Sequence, residues 1–138
     1  MTEYNIDVRE WIRFALMDFD VALNEAKRYR PPIEIICYHC QQAAEKMLKA
    51  YIITQNNTFK KTHDLETLIE ECKRFSHDFG NIKSNCVMLS SYVSGARYPS
   101  EIELTEYEMK QAIKNAQQVL DFTKSKLKEL GHEYKPES

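Results

Sequence analysis

Apolar residues recur at three- and four-residue steps along most of the chain, and the places where that rhythm stops divide it into helices. Val8, Trp11, Ile12, Ala15, Leu16, Phe19, Ala22, Leu23 and Ala26 form the first stripe, the pattern of an amphipathic helix with one buried face. It should end before Pro31-Pro32, because proline clashes inside a helix but is tolerated at the start of one. That pair leads into a second helix from about Ile33 to Gln55, with Ile36, Cys40, Ala43, Met47 and Tyr51 as its inner stripe. Asn56-Asn57-Thr58 breaks the pattern, and Thr62 or Asp64 is suited to cap a third, shorter helix carrying Leu65, Leu68, Ile69 and Cys72. Beyond the punctuation at Gly80-Asn81, a fourth helix draws on Phe79, Ile82, Cys86, Leu89 and Val93, and Ser94-Gly95-Ala96-Arg97-Tyr98-Pro99 interrupts it. The last long stripe runs from about Thr105 to Leu130 through Met109, Ala112, Ile113, Ala116, Val119, Leu120, Thr123 and Leu127, with Gly131 as its stop.

None of these stripes can be buried alone, so the expected fold is all-α: an antiparallel up-and-down helical bundle of four to five helices. Composition agrees with this. Three glycines and four prolines leave few turns in 138 residues, while good helix formers recur in long runs. A chain of this length makes one domain, with residues 1–138 as the unit, a core from about 8 to 130 and a loose tail over 131–138. Hydrophobic residues at 43% and charged residues at 29% are ordinary globular values.

Charge narrows the choice of partner. A net charge of −2 does not create the broad positive field of a non-specific nucleic-acid binder. Basic residues occur instead in small clusters: Lys27, Arg28 and Arg30; Lys60 and Lys61; and Lys124, Lys126 and Lys128. Met1 to Arg13 carries acidic residues and no apolar core, and no apolar run approaches the ~20 residues of a membrane span. A cytoplasmic chain without a membrane role is expected.

The candidate chemistry lies mainly on the second helix. His39, Gln42, Lys46 and Lys49 fall along one flank, beside the apolar stripe. An imidazole, an amide and two ammonium groups on successive turns suit a phosphate or nucleotide. The same row also suits a helix–helix polar seam in a dimer or a solvated flank. His63 and Asp64 stand at a helix start, where backbone amides can hold an anion or a side chain can cap. Arg97 and Tyr98 project from a turn fixed by Pro99 and add an arginine for phosphate and a phenol. Cys37 and Cys40 form a Cys-x-x-Cys pair, but no second ligand pair stands at zinc-site spacing. Buried thiols in a reducing compartment are the simpler reading, with no metal and no cofactor expected. Phosphate-loop, dinucleotide and serine-elbow motifs are absent from the sequence.

The segment Tyr38-His39-Cys40-Gln41-Gln42-Ala43-Ala44-Glu45-Lys46-Met47-Leu48-Lys49-Ala50, followed by Lys61-Thr62-His63-Asp64-Leu65 and Ala96-Arg97-Tyr98-Pro99, resembles the HEPN family in order and spacing. The resemblance implies a small helical bundle that forms a homodimer, with a polar groove near the subunit contact. It also implies a minimal nucleotidyltransferase as partner, in a nucleotide-handling or toxin–antitoxin pair, and a nucleotide or RNA as ligand. Some members are metal-independent ribonucleases whose signature is an arginine four to six residues before a histidine. This chain departs from it: Arg74 is too near His77, Arg30 too far from His39, and no histidine follows Arg97 closely. The remaining catalytic candidates are His39, His63 and Arg97, meeting across the bundle or dimer.

Overall fold

The computed structural model describes residues 7–56, 60–92 and 104–135. Helix α1 spans Val8–Glu25 and begins at Asp7, whose side chain accepts a hydrogen bond from Arg9 N. After α1 the chain turns through Arg30, whose φ of 57° is unusual for a side-chain-bearing residue. Pro31 and Pro32 then lead into α2, Ile33–Asn56.

α2 is the spine of the molecule. Residues on almost every side of it are buried, from Ile36 to Ile53, because α1, α3, α4 and α5 all pack around it. A helix surrounded in this way needs more than an apolar stripe, which explains the small Ala43, Ala44 and Ala50 at close approaches and the polar Gln41, Glu45 and Lys49 enclosed among them. The rest of the core is contributed by single stripes: Ile12, Ala15, Phe19 and Ala22 from α1, and Met109, Ala112, Ala116, Val119, Leu120 and Leu127 from the last helix.

Helix α3, Leu65–Phe75, is capped by Asp64 and buries Leu65, Leu68, Ile69 and Cys72. It runs in the same sense as α2: His63 lies against Gln41 and Glu45, and Cys72 against the Leu48 carbonyl. The chain therefore returns from the end of α2 toward its middle before α3 starts. The other four helices alternate in direction, so the fold is an all-α, up-and-down bundle with α3 laid alongside.

The segment expected to open the fourth helix is tighter than a regular α-helix. Ser76 is extended at φ −151°, and His77–Ile82 forms a 3-10 turn, with Phe79 N donating to Ser76 O at 3.2 Å. Helix α4 follows as Lys83–Tyr92. The short turn drives Phe79 inward, where its ring lies 4.5 Å from Tyr51 and 5.2 Å from Phe122 by ring centroids. Burial of one aromatic side chain thus overrides helical continuity. Val93 and the interruption after it lie outside the described residues.

Helix α5, Glu106–Glu129, starts from a capping box in which Thr105 N donates to Glu108 Oε2 at 3.2 Å. It ends at Gly131, whose φ of 88° suits glycine, and His132 N turns back to Leu127 O at 2.8 Å. In the segment beyond it, Tyr134 is partly buried against the core. No helix is long and apolar enough to cross a membrane among the described residues.

Candidate functional site

The polar flank of α2 divides into two clusters, each organised by a carboxylate. The first centres on Glu45, which is 3% exposed. Its Oε2 accepts from Lys49 Nζ at 2.8 Å and lies 2.9 Å from His63 Nδ1. Its Oε1 lies 3.5 Å from Gln41 Nε2 and 3.4 Å from Gln42 Nε2. The two amides support each other: Gln42 Nε2 donates to Gln41 Oε1 at 2.9 Å, while Gln41 Nε2 donates to the His63 carbonyl at 3.1 Å.

Why such a group is tolerated in the core follows from its partners. A buried carboxylate is costly unless paired and hydrogen-bonded, and Glu45 has both a cation and further donors. Lys49 is likewise buried, with its ammonium 5.9 Å from the Trp11 ring centroid. Gln41, Glu45 and Lys49 follow one another at four-residue steps, so α2 carries a single polar row through its otherwise apolar interior.

His63 joins this buried row to solvent. Its side chain is 84% exposed, although Nδ1 sits against a carboxylate that is not. A proton on Nδ1 satisfies that contact, leaving Nε2 of the neutral ring as an acceptor and Nε2 of the protonated ring as a donor. Beside it, Tyr38, Gln41, Gln42, Asp64 and Ser90 complete the lining of an open groove of about 390 Å³. Asp64 is engaged at the start of α3, where Oδ2 accepts from Thr67 N at 3.3 Å and Thr67 Oγ1 at 2.6 Å. The groove exists because the chain doubles back before α3 and brings His63 to Gln41 and Glu45.

The second cluster centres on Asp18 of α1. Its Oδ1 lies 2.9 Å from His39 Nδ1 and its Oδ2 accepts from Lys46 Nζ at 2.6 Å. His39 and Lys46 therefore face α1. Of the row His39, Gln42, Lys46 and Lys49, only Gln42 lines the groove with His63 and Asp64. Arg97 and Tyr98 lie outside the described residues.

Sequence reasoning missed Asp18 and Glu45 as the organising groups, and Tyr38, Gln41 and Ser90 as groove residues. The four-residue row containing Glu45 was a usable signal. Asp18 was not recognisable, because only the packing of α1 on α2 brings it to His39 and Lys46.

All four cysteines are reduced and buried. Burial pushes the Cys40 and Cys86 thiols up to about 12, and raises Cys72 by the same cause. The Cys37 and Cys40 pair is therefore part of the core. No group of three His, Cys, Asp or Glu side chains is gathered for a metal ion among the described residues.

Relatives confirm the architecture. ST0689, an archaeal HEPN homologue, superposes with a TM-score of 0.69 at 23% identity, covering 88% of this chain and 98% of its own. TT1696 from Thermus thermophilus superposes with a TM-score of 0.70 at 21% identity, covering 88% of this chain and 100% of its own. No curated protein matches the sequence significantly. Residues 8–127 match the HEPN domain, nearly the whole helical core, and the chain belongs to the HEPN family.

Proposed function

We propose that this HEPN chain is a binding module that receives a nucleotide or similar phosphate-bearing ligand in the groove between α2 and the start of α3, and works as a homodimer with a nucleotidyltransferase partner. The observation that carries the ligand reading is His63, an exposed imidazole held in place by the buried Glu45. A positioned side chain loses little freedom when a ligand arrives. Protonated Nε2 donates to a phosphate oxygen, the half-exposed Tyr38 ring offers a face to a base, and Gln42 offers an amide to its edge. The nucleotidyltransferase and the toxin–antitoxin-like setting come from family resemblance.

The test is calorimetric titration of wild-type protein and His63→Ala with a panel of nucleoside mono-, di- and triphosphates. Saturable binding by wild type, weakened about tenfold or more in His63→Ala, supports the site. Absence of binding at roughly millimolar nucleotide, with and without the partner, overturns it.

The Glu45–His63 pair also favours a second reading, a metal-independent ribonuclease. A carboxylate that fixes one imidazole nitrogen leaves the other suited to move a proton. RNA incubated in chelator should then be cleaved by wild type and spared by His63→Ala. Cleavage that survives the substitution removes His63 from the chemistry.

A further inference from the structure

On the other side of the α3 start lies a cleft of about 360 Å³, separate from the groove except that Asp64 borders both. Asp64, Thr67, Glu71 and Arg74 follow one another at three- and four-residue steps and form its α3 wall. Glu71 stands apart from the others. It is only 6% exposed, and its Oε2 is buried without a hydrogen-bond partner among the described residues.

Neighbouring groups do not explain this carboxylate. Asp64 is occupied by Thr67. Glu70 is held by Lys83 at 2.9 Å and Lys73 at 3.4 Å, and these ammonium groups keep its carboxyl below the usual range. Arg74 is exposed and forms no ion pair with Glu71. A buried carboxylate oxygen is unfavourable unless a bound water or ligand donates to it.

We infer that this cleft binds an organic cation, a primary ammonium or guanidinium group whose N–H donors reach Glu71. Glu66 adds an acceptor at the opening, whereas Lys60 and Arg74 bound it with positive charge and limit the occupant to a compact cationic head. The acidic groups are not arranged as a three-ligand set. The donor geometry of ammonium or guanidinium fits one anchoring carboxylate better than metal coordination does. A free polyamine and an arginine side chain share this chemistry.

Thermal shift of the full chain, titrated to roughly ten millimolar with spermidine, arginine amide or tetramethylammonium, tests the site. Spermidine or arginine amide should raise the melting temperature saturably, and whichever acts at the lower concentration identifies the polyamine or the arginine side chain as the better fit. Tetramethylammonium, which has no N–H donor, should not. Glu71→Gln should weaken the effective cation by about tenfold or more. Lack of a saturable shift, an equal shift with tetramethylammonium, or an unchanged response in Glu71→Gln overturns the inference. If that variant folds poorly, carbon-13 resonances of the wild-type Glu71 carboxyl decide the matter: saturable movement on titration supports the site, and no movement overturns it.

Discussion

Glu45 concentrates more consequence in one side chain than any other residue of the groove. Replacing it with alanine leaves the buried Lys49 ammonium without its carboxylate and removes the anchor of His63. Glu45→Ala should lose about 3–5 kcal/mol in urea unfolding, the usual effect of breaking a buried ion pair. The double replacement Glu45→Met with Lys49→Met should recover most of that loss, because it removes both charges and keeps volume. A second residue-scale expectation concerns alkaline pH. Burial raises the Cys40 and Cys86 thiols from about 9 to about 12, and it raises Cys72, Tyr51 and Tyr92 as well. Above pH 9 the unfolded chain therefore releases thiol protons that the folded chain retains. The thiol contribution to stability is constant below that value and is lost as pH rises from about 9 toward about 12, measured by denaturant midpoints across that interval. A midpoint unchanged up to about pH 11 would contradict it. The candidate site was only partly visible in the sequence for a related reason. His63, Asp64 and Gln42 stood out by chemistry, whereas Glu45 was hidden in a buried row and Asp18 depended on a contact between distant helices.

Among the elements, α3 is a short helix whose start is held by a side chain that also borders the groove. Asp64 holds both the backbone and hydroxyl of Thr67, and the residue before it is His63. Asp64→Ala should therefore cost about 1 kcal/mol in chemical denaturation, with Asp64→Asn retaining most of the stability because it still accepts from the helix amides. Equal losses in both variants would show that charge, not the cap, matters there. The helices themselves were largely legible because each start or stop has a local cause: Pro31-Pro32 before α2, Asp64 before α3, Thr105 before α5 and Gly131 after it. The 3-10 turn was not. Its apolar residues have the spacing of a helix, and only the Tyr51, Phe79 and Phe122 cluster reveals why that segment tightens. The direction of α3 was equally hidden, since a stripe states which face is buried and not which way the helix runs.

For the molecule as a whole, the distribution of charge separates recognition of a small ligand from recognition of a polymer. The chain carries 19 basic and 21 acidic residues, and on α2 the cations nearest the groove are already matched by Asp18 and Glu45. Long-range attraction to a polyanion is therefore weak, while the contacts proposed for Tyr38, Gln42 and His63 act only at short range. A nucleotide held in this way engages one phosphate group or two, so few counterions are released on binding. Raising monovalent salt from roughly 50 to 200 mM should lower nucleotide affinity less than about tenfold, in contrast to the ~10³-fold or larger loss of a protein that neutralises six or more phosphates. The measurement is nucleotide titration at several salt concentrations, with single-stranded RNA of mixed sequence in parallel. A steep dependence for the nucleotide, or RNA binding that is both tight and steep, would require a positive surface that the charge balance does not supply and would move the site away from the groove.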